Sequence, residues 1–300
     1  MLSVATRQLG AMLWVGLAVG GTFAQAAQAF AVTGAHSAPV AAASPANMLS
    51  PEEEESGWTL LFNGTDLSGW RAIGEASFLT DWHVRDSAIA YRGRGSGTLL
   101  STQAFSDFEL IMEWKVGRGD DAGLFLRVWD ESRPVGEVAP EVQLIDNRGS
   151  TLAMEPKRSA GACSHLYAPS HDASRPQGEY NLLRVVAAGT RVEHWLNGAK
   201  VLEYQIGGAD WMSRLSRSPM KAHGDLGSAP SGYLGLQQAD ETVRFRTIKI
   251  RPLGEAASLA IRNPVRVRKA SAGLPTLFFT RQSGLRDVMG RQAIPVGETP

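Results

Sequence analysis

Residues 139–146, Ala-Pro-Glu-Val-Gln-Leu-Ile-Asp, set acidic and amide side chains inside a run that otherwise reads as a buried strand. Side chains alternate along a strand, so Glu141, Gln143 and Ile145 are expected on one face and Val142 and Leu144 on the other. Asp146 falls on the Val142 face unless a bulge re-aims it. A carboxyl among apolar neighbours is pushed toward its neutral form, which suits a general acid or base working near neutral pH. Glu141 is therefore the candidate acid or base, and Gln143 the candidate partner for substrate hydroxyls. The competing reading is a sheet face open to water, with both side chains merely solvated. Asp146 fits a second carboxylate, a metal ligand or, with Asn147 after it, a turn residue. Arg127 closes the run Gly123-Leu124-Phe125-Leu126-Arg127. Its guanidinium fits an oxyanion stabiliser, and equally a surface cation or an ion-pair partner of Glu141.

Other side chains are candidates for a binding groove. His165 and Tyr167 lie in Ser164-His165-Leu166-Tyr167, and Gln237 ends Gly235-Leu236-Gln237. His194 and Trp195 are adjacent, so on a strand they face opposite ways: one is buried and Trp195 is the candidate for stacking on a sugar ring. Asp120 and Asp121 offer oxygen ligands for a divalent cation, or cap a hairpin loop. No spacing of zinc ligands appears. Gly93-x-Gly95-x-Gly97 reads as a hairpin turn rather than a phosphate loop.

These residues need a sheet to hold them, and the chain supplies strand signals almost throughout residues 57–253. Phe108, Leu110, Met112 and Trp114 alternate with Glu109, Ile111 and Glu113, the pattern of a strand with one wet or functional face. Asn197-Gly198 tolerates the positive φ values of a tight hairpin turn, so 191–205 is predicted as a hairpin, with 180–188 joined to it as a meander. Further strands are predicted at 58–62, 81–85, 88–92, 97–101, 122–130, 139–146, 162–167, 232–238 and 242–252. Helix is expected only near 210–217. So many strands in about 200 residues imply an all-β fold of two packed antiparallel sheets.

The whole chain of 300 residues has 30 cationic and 30 acidic side chains, a neutrality that argues against nucleic acid as a partner. Arg7 followed by the apolar run Leu9–Phe23 and by Ala24-Gln25-Ala26 and Ala27-Gln28-Ala29 reads as a cleaved signal peptide over 1–29, or else an uncleaved anchor. Export to the periplasm or the extracellular space follows, without stable membrane insertion of the mature chain. Residues 30–56 read as a disordered Ala-, Ser- and Pro-rich linker. Residues 254–300 form a tail of unassigned role. The single cysteine, Cys163, excludes a disulfide within the chain.

Taken in order, several of these segments resemble the 3-keto-disaccharide hydrolase family. They are Gly57-Trp58-Thr59-Leu60-Leu61-Phe62-Asn63-Gly64-Thr65-Asp66-Leu67-Ser68-Gly69-Trp70, then Trp82-His83-Val84, Asp107-Phe108-Glu109-Leu110 and Ala122 to Arg127. Pro140 to Asp146, Gly178-Glu179-Tyr180-Asn181, His194 to Gly198 and Gly235-Leu236-Gln237 follow. Gln238, Ala239 and Asp240 stand where the family often has Asp-His-Gly. The resemblance implies a concanavalin A-like, jelly-roll β-sandwich and a glycoside or oligosaccharide substrate. It also implies cleavage of a 3-keto-glycoside: a base takes the acidic C2 proton, the C1 substituent leaves by β-elimination, and water adds back. Glu141, Asp146 and Arg127 would carry that chemistry, and Gln143, His165, Tyr167, Trp195 and Gln237 would bind the sugar. Two alternatives stay open. One is a non-catalytic carbohydrate-binding module. The other is an ordinary β-glucan hydrolase, because Glu141-x-Gln143-x-x-Asp146 echoes the acid-x-acid-x-x-acid strand of retaining enzymes, whose carboxylates lie about 5 Å apart.

Overall fold

Alternation along the chain translates directly into strands with one buried face. A computed structural model describes residues 45–73, 81–92, 97–238 and 242–255. In chain order the described strands are β1 (Thr59–Leu60), β2 (Trp70–Ala72), β3 (Trp82–Arg85), β4 (Ala88–Tyr91), β5 (Gly97–Phe105), β6 (Phe108–Lys115) and β7 (Asp121–Val128). They continue as β8 (Glu141–Ile145), β9 (Asn181–Ala188), β10 (Arg191–Leu196), β11 (Ala199–Gln205), β12 (Gly232–Gln238) and β13 (Arg244–Pro252). Among the described residues helix is confined to α1 (Pro51–Glu55), α2 (Val135–Val138), α3 (Ala209–Leu215) and short 3-10 turns.

The strands form two antiparallel sheets. One has the order β11-β10-β9-β6-β13-β4-β3, with β1 added against β13; the other has the order β2-β5-β12-β7-β8. Phe108, Leu110, Met112 and Trp114 are fully buried and meet Leu124, Leu126, Val142 and Leu144 of the facing sheet in one core. The protein is thus the expected all-β sandwich. Asn197 and Gly198, at φ 51° and 87°, make the predicted tight turn between β10 and β11. The intervening residues of β6 are laced with ion pairs: Glu109 with Arg184 and Arg251, Glu113 with Arg246.

Two expectations need correction. Residues 162–167 form no regular strand; Cys163 makes only isolated bridges to Val142 and Tyr167. The end of the expected linker is ordered. Ser50 and Glu53 form a reciprocal capping box on α1. Asn47 is buried, with its backbone N–H bonded to Thr247 Oγ1 at 3.3 Å, its side-chain carbonyl accepting from Thr247 N–H at 2.7 Å and its amide donating to Ser87 O at 2.8 Å. The capping box and polar partners 40 and 200 residues away along the chain, invisible in a composition count, tie this stretch down. The leader, residues 30–44 of the linker, Ala239 and Asp240, and the tail beyond 255 lie outside the described residues. Among the described residues no helix is long and apolar enough to cross a membrane.

Candidate active site

The outward face of the five-stranded sheet carries two rows of cross-strand neighbours. One is Thr98, Gln237, Gly123 and Gln143; the next is Leu100, Gly235, Phe125 and Glu141. The glycines matter for space. A Cβ on Gly123 would overlap the Glu141 carboxylate, so the bare backbone of β7 is what lets that side chain lie across the sheet. Beyond β8, residues 161–164 continue the sheet irregularly: Gln143 N–H donates to Ala162 O at 3.0 Å, Gly161 N–H to Gln143 O at 2.8 Å, and Ser164 N–H to Glu141 O at 3.0 Å. This edge supplies one wall of a cavity of about 570 Å³. Glu141, Ser164, His165, Gln237, Asp81 and Tyr91 are its main polar contributions.

Glu141 is half-buried there. Burial, and then the nearby Asp121 carboxylate, push its pKa up to about 7, against weaker pulls from Ser164 and Arg158. Asp121 itself accepts a hydrogen bond from Gln143 Nε2 and lies 3.8 Å from Arg158 Nη2. Gln143 Oε1 in turn accepts from the Ser164 hydroxyl at 3.0 Å. Gln143 is fully buried, so it braces the acids from behind rather than lining the cavity. His165 holds a left-handed backbone, φ 65°, with its N–H fixed to Lys157 O at 3.0 Å. Burial, and then the positive charge of Arg158, lower its pKa, so the imidazole is neutral at neutral pH.

The structure thus gathers Glu141, His165 and Gln237 at one cavity with Gln143 and Asp121 behind them. The other expected members lie elsewhere. Simple alternation would put Arg127 on the Glu141 face, with Gly123 and Phe125. A register shift between Tyr233 and Gly235, opposite this part of β7, and a φ of 60° at Arg127 re-aim it. Its guanidinium is buried against Ser106 O and Gly189 O, both at 2.7 Å, and pairs with Asp107 at 3.4 Å, beside a separate cavity. Asp146 is the turn residue: its carboxylate accepts from Gly119 N–H and Arg148 N–H, both at 3.1 Å. Tyr167 stacks in the core on Tyr204, with ring centroids 5.2 Å apart. Trp195 belongs to the other sheet, where it lies 4.9 Å from the Arg184 guanidinium, while its neighbour His194 is the buried one. Asp120 caps the hairpin loop, accepting from Gly117 N–H at 2.7 Å. Among the described residues no three His, Cys, Asp or Glu side chains converge as a metal site.

Four contributors carried no sequence signal strong enough to single them out. Ser164 lies in a turn, Asp81 immediately precedes β3, Arg133 precedes a single helical turn, and Arg158 sits on a 3-10 turn. They meet Glu141 or its cavity only through tertiary packing of segments distant in sequence.

A two-sheet sandwich with a protonation-tuned carboxyl in an outward cavity is an architecture of glycoside-acting enzymes. The chain belongs to the 3-keto-alpha-glucoside-1,2-lyase-like domain family, whose profile matches residues 57–251. It is 26% identical over 231 residues to a 3-keto-disaccharide hydrolase of Bacteroides thetaiotaomicron, covering 67% of this chain and 80% of that one. Among solved structures, a candidate glycosyl hydrolase of Parabacteroides distasonis matches with a TM-score of 0.64 and 31% identity, over 70% of this chain and all (100%) of the other. A second one from the same organism shares the fold at a TM-score of 0.52 and 22% identity, over 65% and 99% of the two chains.

Proposed function

We propose that this protein cleaves 3-keto-glycosides, with Glu141 as the base that removes the C2 proton. The carbonyl at C3 acidifies that proton. As the C2–H bond breaks, its electrons form the C1=C2 bond and the C1–O bond breaks, releasing the aglycone. The aglycone oxygen takes up a proton, and water then adds across the double bond to restore the sugar. A base for this step works best with a pKa near the operating pH. The single observation that carries the reading is the Glu141 carboxyl, held near 7 by burial and Asp121 at the edge of a sugar-sized cavity. His165, neutral on the same cavity wall, is placed to pass a proton between the departing oxygen and solvent. Gln237 and Thr98 offer hydrogen bonds to hydroxyls from the floor. Export before action remains part of this proposal, on the pattern of the leader alone.

The test is release of aglycone from a 3-keto-glucoside and from its unoxidised parent, each with and without a chelator. Release from the keto form alone is expected. Release from the parent at a similar rate would point to ordinary glycoside hydrolysis instead, and binding without release to a carbohydrate-binding module.

A further inference from the structure

The cavity has two unlike sides. The Glu141 side is polar, with Ser164, His165 and Gln237. The other begins at Phe125, the cross-strand neighbour of Glu141: Phe125 and Leu100 of the second row join Val135, Val138 and Ala139 in a small apolar cluster separate from the main core. Phe125, Val135 and Ala139 reach the cavity, and Met220 and Leu226 face it from a distant loop. The two segments are clipped together: Arg133 grips Asp225 through contacts of 2.7 and 3.3 Å, and His223 lies 3.5 Å from Glu137. The Arg133 guanidinium, the strongest donor on this side, is thereby committed to a carboxylate of the protein.

A second sugar ring would bring hydroxyls that lose water on entry and need partners in return. The methyl, ring and thioether groups of this wall give none. They favour a flat or branched hydrocarbon surface instead.

We infer that the wall formed by Phe125, Val135, Met220 and Leu226 is the leaving-group subsite, and that it selects 3-keto-glycosides of aromatic or other apolar alcohols over 3-keto-disaccharides. The inference rests on the proposed function for its sugar half only.

Two measurements test it separately from that reading. The first compares kcat/KM for 2-phenylethyl 3-keto-glucoside, whose alcohol leaves no more readily than a sugar, with that for a 3-keto-disaccharide. A preference of at least about tenfold, equivalent to about 1.4 kcal/mol, is expected, carried mainly by KM. Met220→Gln, at a half-buried position, should cut the preference at least threefold. Equal or higher kcat/KM for the disaccharide overturns the inference. The second is calorimetric binding of unoxidised 2-naphthyl glucoside against methyl glucoside, which needs no turnover. Tighter binding of the naphthyl compound, weakened by Met220→Gln, supports the subsite even if no keto-glycoside is cleaved, an outcome that would defeat only the proposed function. Equal affinity for the two glucosides overturns the subsite.

Discussion

Glu109 and Glu141 are the same residue on the outward face of a sheet strand, one buried and the other half-buried at a cavity, and the two sheets use them in opposite ways. Glu109 is 6% exposed and bonded to Arg184 Nε at 2.5 Å and to Arg251 on the flanking strands. It is an ion-paired staple of the eight-stranded sheet. Glu141 has a carboxylate, Asp121, as the charge that weighs most on it, and its side chain lies over the bare backbone of Gly123, diagonal to its cross-strand partner Phe125. The two sites differ in the charge that faces them: arginines at Glu109, a carboxylate at Glu141, where that carboxylate adds to the effect of burial.

The largest test of that contrast is Glu141→Gln, which should lower release of aglycone from a 3-keto-glucoside by about 10²–10⁴-fold while leaving the circular dichroism spectrum intact. Unchanged turnover would remove Glu141 from the chemistry. The same variant should reshape stability against pH. The folded carboxyl, at about 7, lies above its ordinary value of 4.5, so the native state binds more protons than the unfolded chain between those limits. The wild type should therefore lose on the order of 3 kcal/mol relative to Glu141→Gln as pH rises from 4.5 through 7, read by urea denaturation at several pH values. A parallel pair of curves would mean that the carboxyl is not buried in solution.

Gly123→Ala sets a Cβ against the carboxylate and should cost about tenfold in kcat and about 1–3 kcal/mol in stability. Full activity would show that Glu141 has another way to lie. Glu109→Gln should do the reverse: about 1–3 kcal/mol lost in denaturation, with turnover unchanged, because two arginines lose a charged partner far from the cavity. A loss of activity there would erase the contrast between the sheets. The smallest effect is expected from Asp121→Asn. Removing the like charge should move the acid limb of the pH–rate profile toward lower pH, raising the rate near pH 6 by about threefold. Movement the other way would make Asp121 a partner of Glu141 rather than its repeller.

Much of this architecture was legible in the order of residues because period-two alternation and turn chemistry are local. The β6 strand, the Asn197-Gly198 hairpin and the outward aim of Glu141 and Gln143 all follow from a few adjacent side chains. Arg127 shows where that logic stops. Its aim is reversed by a bulge whose cause is the register of β12, more than a hundred residues along the chain. Asp146 shows another limit, since alternation cannot tell the last residue of a strand from the first of a turn. Arg133 and Arg158 had no local pattern at all, and their placement depends on loops packed by tertiary contacts.

The docking of Asn47 sets a practical limit on how the protein can be shortened. Family likeness begins at residue 57, but a polypeptide cut there would strip Thr247, strained at φ 52°, of the amide that receives its N–H, and would leave the ammonium of Lys249 without Glu53. Expression boundaries drawn upstream of residue 45 keep these stitches in place.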